Sequence, residues 1–187
     1  MWETLYNFNK NFSMKELSNK TAIITGGSKG IGKGIVKKFA EEGCNIAFSY
    51  LSSESSASKL EKEIKSLGVK VKKYKSDASN FEESNQLISD VINDFGGFDI
   101  LINNAGITMD NLLLRMDYES WKKVLDINLN SCFNLTKAAV KEFLKKKKGS
   151  IINISSIVGI KGNAGQSNYA ASKGGINSFT KSIALEL

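Results

Sequence analysis

Tyr169 and Lys173 stand four residues apart, and on a helix residues so spaced share a face. A phenol beside an ammonium is an acid–base device. The ammonium favours the phenolate and draws the tyrosine pKa down from its usual value near ~10. A tyrosine so placed gives or takes a proton near neutral pH, which a free phenol does poorly. The same spacing also occurs on ordinary solvated helix faces, so its meaning rests on the rest of the chain. Two upstream features bear on it. Ser155 and Ser156 end an apolar run, and Thr25-Gly26-Gly27-Ser28-Lys29-Gly30-Ile31-Gly32 forms a glycine-rich turn far upstream.

The chain of 187 residues contains no His. This excludes Ser-His-Asp and Cys-His catalysis, His-containing zinc sites and the His-Glu-x-x-His metalloprotease helix. Acid–base chemistry must use Tyr, Lys, Asp, Glu or Cys, and no metal site is expected. Cys44 and Cys132 are far apart and sit among apolar neighbours. They read as small buried hydrophobes in a reducing compartment.

The elements that must position these groups alternate short apolar runs with longer amphipathic ones. Strands are expected at 21–25, 45–50, 69–75, 98–103 and 150–155. Helices are expected at 31–42, 55–67, 81–95 and 168–187, with 118–148 as one long helix or a broken pair. Gly43, Gly68 and Gly96-Gly97 mark helix ends. Strands separated by helices imply parallel βαβ units, an α/β, Rossmann-like doubly wound sheet with helices on both faces. Residues 20–187 read as one domain after an N-terminal extension, 1–19, that carries Trp2, Tyr6, Phe8 and Phe12. No signal peptide or membrane-spanning run is recognised, so a cytoplasmic protein is expected, with an organelle as the other compartment.

The glycine turn has the strand before it and the helix after it that a dinucleotide fingerprint requires. Gly26 permits a tight turn, Gly30 lets a pyrophosphate approach the backbone, and Gly32 allows close packing of helix on strand. The helix N-terminus then faces the phosphates. An acid is expected at the end of the second strand to hold the adenosine ribose, yet Ala47–Ser53 contains none before Glu54. A missing acid, hydroxyls and the cation Lys29 favour a 2′-phosphate, hence NADP(H).

Asp77 follows the third strand, as a turn or N-cap residue and a neighbour of the adenine pocket. Asn103-Asn104-Ala105-Gly106 ends the fourth strand, where small residues let a ligand approach the backbone. Asn128 lies on an apolar helical face. Its amide either makes a buried structural hydrogen bond or holds a water. Ser155 and Ser156 fall at the carboxyl edge of the sheet, where ligands of such folds bind.

Net charge is +7, but the lysines are spread along helices without aromatic interleaving, so nucleic acid is not the expected partner. Lys145-Lys146-Lys147-Lys148 is the one dense run. It reads as a helix C-terminus complementing the dipole and closed by Gly149, and also as a docking patch for an acidic partner.

Together, Thr25–Gly32, Asn103–Gly106, Asn128, Ser156 and Tyr169/Lys173 resemble the short-chain dehydrogenase/reductase family from about Lys20 onward. The resemblance implies that Ser156 is the catalytic serine with Ser155 its neighbour. Tyr169 becomes the acid–base, Lys173 binds the nicotinamide ribose, and Asn128 holds a proton-relay water. It places cofactor contacts at Gly26, Ser28, Lys29, Gly30, Ile31 and Gly32. Others are implied at Leu51, Asp77 and Ala78, and at Asn104, Ala105 and Gly106. Within the family, 104–116 and 156–169 resemble the 3-oxoacyl-(acyl carrier protein) reductases of type II fatty acid synthesis. That likeness implies NADPH, an acidic carrier protein as partner, a carrier-contacting cation at Lys147, and a homotetramer. Family chains continue past the Tyr/Lys helix, so a sheet lacking the last strands, with weak or no activity of this polypeptide, is expected. Two alternatives remain at this level. One is another substrate for the same chemistry: a coenzyme A thioester, sugar or secondary alcohol. The other is a catalytically silent NADP-binding module.

Overall fold

A computed structural model describes residues 15–187; the reading of 1–13 lies outside them. Five strands, β1 (Thr21–Ile24), β2 (Asn45–Tyr50), β3 (Val71–Lys75), β4 (Ile100–Asn103) and β5 (Ser150–Asn153), form one sheet in the order β3-β2-β1-β4-β5. Every pairing is parallel. The order reverses between β1 and β4, which creates the switch point where α/β folds bind ligands.

The connecting helices are α1 (Gly30–Glu41), α2 (Glu54–Lys65), α3 (Phe81–Phe95), α4 (Tyr118–Leu125), α5 (Ser131–Lys146), α6 (Val158–Lys161) and α7 (Ser167–Ile183). Alternation along β1 shows why two helical layers form. Ala22 and Ile24 face a core built with Val36 and Ala40 of α1 and Leu60 and Ile64 of α2. Ile23 faces the opposite core, with Leu87 and Val91 of α3 and Leu135 and Ala139 of α5. A strand buried on both faces needs a continuous apolar run, and Thr21-Ala22-Ile23-Ile24 supplies it.

Helix ends follow their local chemistry. Gly43 (φ +83°), Gly68 (φ +80°) and Gly96 (φ +76°) take the left-handed turn after α1, α2 and α3. The N-cap of α3 is Asn80, whose side chain accepts from the Glu82 and Glu83 amides at 2.9 and 3.1 Å. Asp77 is instead a turn residue, accepting from the Ser79 amide at 2.9 Å.

Some expectations need correction or resolution. β3, β4 and β5 are shorter than the expected 69–75, 98–103 and 150–155. The 118–148 region is a broken pair: α4 and α5 are joined by a single π-helical segment, Asp126–Asn130. The lysine run is closed at Lys147, which itself adopts φ +50°, and not by Gly149. Gly149 is small for another reason, since any Cβ there would run into the Phe143 ring. The run also sits where α5 leads into β5, at the amino end of the sheet. That is the end away from the switch-point cleft. The 3-10 turn Leu113–Arg115 and the short helix α6 were not anticipated. Both lie beyond carboxyl ends of strands. Among the described residues, no helix is long and apolar enough to cross a membrane.

Candidate active site

A cleft of about 440 Å³ opens at the carboxyl ends of β1, β2, β4 and β5. Its floor is the glycine turn. Gly26 (φ +63°) and Gly30 (φ +50°) occupy the left-handed region, which other residues reach only with strain. Open space surrounds the position of a Cβ on Gly30, whereas one on Gly26 would lie 3.2 Å from the Ala105 Cα. A Cβ on Gly32 would overlap the Gly26 carbonyl and the Asn104 amide. Gly32 therefore allows α1 to pack on the turn and on Asn104, not on a strand as its position in the pattern implied. The first turn of α1 carries no side-chain cap, and Lys29 at its N-cap is exposed. The uncapped amides and the cation make this end of the helix anion-attracting.

The turn and the end of β4 are bonded together through Thr25, which the sequence marked as a strand end and the start of the glycine motif, with no role of its own. Its buried Oγ1 accepts from the main-chain amides of Asn104 and Ala105, each at 3.0 Å. Asn104 Nδ2 in turn donates to the Thr25 carbonyl at 2.9 Å and the Gly26 carbonyl at 3.3 Å. Two loops 80 residues apart thereby form one rigid wall.

α7 carries Tyr169 and Lys173 on its inward face. Lys173 is buried (4% exposed) and its Nζ donates to the Ile154 carbonyl at 2.6 Å. Burial pushes its pKa below the usual lysine value, because the charged form is poorly solvated. The same ammonium lies 5.7 Å from the Tyr169 ring centroid. Tyr169 is half-buried and lines the cleft with Lys173, Ile154 and Ser155.

α7 is held in place by a relay of side chains. Asn128, 1% exposed within the π segment, accepts from the Ile107 amide at 2.8 Å. Its Nδ2 donates to the Ile107 carbonyl and to Ser172 Oγ, both at 3.0 Å. Ser172 then donates to the Tyr169 carbonyl at 2.8 Å. At the start of the helix, Asn168 donates to the Met109 carbonyl at 2.9 Å. Sequence reasoning missed Asn168 and Ser172 as site residues, and the bonding role of the Thr25 side chain. A polar residue inside the Tyr-x-x-x-Lys spacing, on the buried side, was the available signal for Ser172.

Gly26, Ser28, Lys29, Gly30, Ile31, Gly32, Leu51, Asn104, Ala105, Gly106, Tyr169 and Lys173 are gathered around this one cleft. Asp77 and Ala78 follow β3 and do not line it. Asn128 stands behind the wall. Ser156 lies next to the lining residue Ser155, with its Oγ accepting from the Val158 amide at 3.2 Å at the start of α6. Ser155 Oγ donates to the Lys173 carbonyl at 3.1 Å. Chemically, the arrangement offers an anion-attracting glycine floor beside a phenol, hydroxyls and a buried ammonium.

Known proteins are similar to this chain in sequence. The family model described as short chain dehydrogenase matches residues 20–187. Similar relatives come from Staphylococcus epidermidis, Staphylococcus aureus and Vibrio cholerae, each named 3-oxoacyl-[acyl-carrier-protein] reductase FabG. Their identities to this chain are 43%, 44% and 44% over 169, 168 and 171 residues. The matches cover 90%, 90% and 91% of this chain, and 69%, 68% and 68% of the relatives.

Proposed function

We propose that this chain, which belongs to the short-chain dehydrogenase family, reduces the 3-oxo group of an acyl thioester on acyl carrier protein, using NADPH. The observation that carries the reading is the Tyr169–Lys173 pair set over the glycine cleft. The residues present fit a dinucleotide, because Gly30 leaves open space at the uncapped end of α1. The glycine floor and α1 amides would hold its pyrophosphate, and Lys29 with Ser52 and Ser53 its 2′-phosphate. When bound, the cofactor supplies a hydride for the carbonyl carbon.

The remaining work falls to the chain itself. Ser156 offers the hydroxyl that orients the carbonyl oxygen, while neighbouring Ser155 spends its proton on the Lys173 carbonyl. Tyr169 donates a proton to that oxygen, so hydride and proton together convert the ketone to a secondary alcohol. The Lys173 ammonium stabilises the phenolate left behind and would bind the nicotinamide ribose of a bound cofactor. Asn128, through a held water, and Lys173 would relay the proton that restores Tyr169.

The acyl-carrier reading draws on the names of the relatives. The Lys145–Lys148 run is at the far end of the sheet from the cleft, so it does not favour this partner. Arg115 and Lys161, exposed on segments beyond β4 and β5, are better placed to meet an acidic carrier. A homotetramer through α5 and α7 would cover the half-exposed ring of Phe133, which packs edge-on against Phe179 at 6.4 Å. Tyr169→Phe tests the proposal: turnover of acetoacetyl thioester should be abolished while NADPH still binds. Full activity in that variant refutes the assignment. Comparing carrier-bound with coenzyme A-bound acetoacetyl substrate fixes the acyl carrier.

A further inference from the structure

Glu54, the first residue of α2, is the first acid after β2, four residues beyond the strand end, where a carboxylate would accept from ribose hydroxyls and select against a phosphorylated cofactor. In this structure its partly exposed carboxylate bonds to groups outside the cleft. One oxygen, Oε2, accepts from the hydroxyl of buried Tyr50. The other, Oε1, accepts from the Lys73 ammonium of β3 and from Ser58 Oγ at 3.1 Å. Lys73 also lies 5.4 Å from the Tyr50 ring centroid, so phenol, ammonium and carboxylate form one cluster. Lys75, paired with Tyr50 in the β2–β3 register, adds a second cation on that side. Tyr50, Leu51, Ser52 and Ser53 all line the cleft, whereas Glu54 and Lys73 do not.

We propose that Lys73 and Tyr50 determine cofactor preference by holding the Glu54 carboxylate out of the cleft, so that no acid opposes a 2′-phosphate there. The inference rests on the NADP(H) reading above. The first acid beyond β2, at the start of α2, thus bonds toward β3, and its charge is met by an ammonium from that neighbouring strand. The hydroxyls of Ser52 and Ser53 are left as the groups facing the ligand, with Lys29 across the cleft. Ser53 is the N-cap of α2, yet its side chain makes no capping bond.

Removing Lys73 leaves the Glu54 charge uncompensated beside the pocket, with only the Tyr50 and Ser58 hydroxyls still on it. One carboxylate about 6 Å from a doubly charged phosphate, through water, opposes binding by a factor of about ten. The test is fluorescence titration of NADPH and NADH against the full protein and three variants: Lys73→Met, Glu54→Gln and the two combined. Wild type should prefer NADPH. Lys73→Met should lower the NADPH-to-NADH affinity ratio about tenfold. Glu54→Gln, an exposed change that leaves the fold alone, should leave the ratio within about twofold, because its charge is already out of play. The double variant should return to the wild-type ratio.

An unchanged ratio in Lys73→Met overturns the inference. So does a rise in NADPH preference in Glu54→Gln, which would mean that the carboxylate already opposes the phosphate. Equal losses in Lys73→Met and the double variant would assign Lys73 a direct contact with phosphate and overturn it as well. A wild type that prefers NADH, or binds neither nucleotide, refutes the NADP(H) reading itself and the inference with it.

Discussion

Thr25→Val isolates the hydroxyl that bonds the glycine turn to the end of β4. Valine keeps the shape and fills the same space, so no cavity forms. What disappears is the acceptor for two main-chain amides, Asn104 and Ala105, each at 3.0 Å from Oγ1. The bond from Thr25 Oγ1 to the Ile102 carbonyl is long at 3.4 Å and adds little. Each buried donor left without a partner costs about 1–3 kcal/mol. Both amides belong to half-buried residues beside the cleft, where water recovers part of the loss. The sum is therefore about 2–4 kcal/mol, out of a total stability of about 5–15 kcal/mol for a domain. For a chain of this size that lowers Tm by about 6–12 °C. Thr25→Ser is the control: it keeps the hydroxyl and gives up one buried methyl, worth about 1 kcal/mol. The assay is urea unfolding of the full protein at fixed concentration, comparing midpoints at unchanged m. A valine variant within about 0.5 kcal/mol of wild type, or a serine variant as weak as the valine one, would refute the reasoning.

Two glycines of α1 should respond in opposite directions. Gly32→Ala drives a Cβ into the Gly26 carbonyl and Asn104, costing about 1–3 kcal/mol by overpacking and weakening nucleotide binding at least about tenfold as the floor shifts. Gly34→Ala meets nothing within 4 Å and should stabilise by about 0.5–1 kcal/mol through helix propensity; thermal unfolding and nucleotide titration of the two variants check both. Burial pushes the thiols of Cys44 and Cys132 up to about 12, from an ordinary 9.0. At pH 8 neither should react with a thiol reagent until the protein unfolds. Between pH 9 and 12 the folded state keeps thiol protons that the unfolded chain has lost, so their contribution to stability falls as pH rises. Burial and the Asp94 carboxylate push Tyr74 in the same direction, while lowered Lys173 acts oppositely below 10.5. Denaturant midpoints measured from pH 8 to 10.5 should therefore decline, and a rise would contradict the thiol burial.

The sheet was legible in the sequence because parallel strands buried on both faces demand unbroken apolar runs. β2 and α3 match their expected bounds, 45–50 and 81–95, and the glycines after α1, α2 and α3 mark real left-handed turns. The π segment at Asp126–Asn130 was not legible. One residue added to a helical turn rotates the apolar face by less than the width of that face, so the periodicity over 118–148 does not register it. Closure of α5 at Lys147 was hidden too, since glycine is the usual residue at that conformation and Gly149 stood two positions on. In the site, residue types whose chemistry is local were readable: the glycine turn, and Tyr169 with Lys173. Thr25, Asn168 and Ser172 work through partners 79, 59 and 44 residues away, and such pairings exist only once the chain is folded. Glu54 shows the same limit. Its place after β2 was visible, but its capture by Tyr50 and Lys73 depended on β3 lying beside β2.

The central claim is hydride reduction of a 3-oxoacyl thioester with proton transfer at Tyr169. Its most direct test supplies the full protein with NADPH deuterated at the transferring position of the nicotinamide and acetoacetyl-carrier protein, and follows the product by mass spectrometry. The account predicts a 3-hydroxybutyryl thioester with one deuterium at C3 from wild type, and no product from Tyr169→Phe under conditions where that variant binds NADPH. Product without deuterium at C3, or equal product from the two proteins, would contradict it.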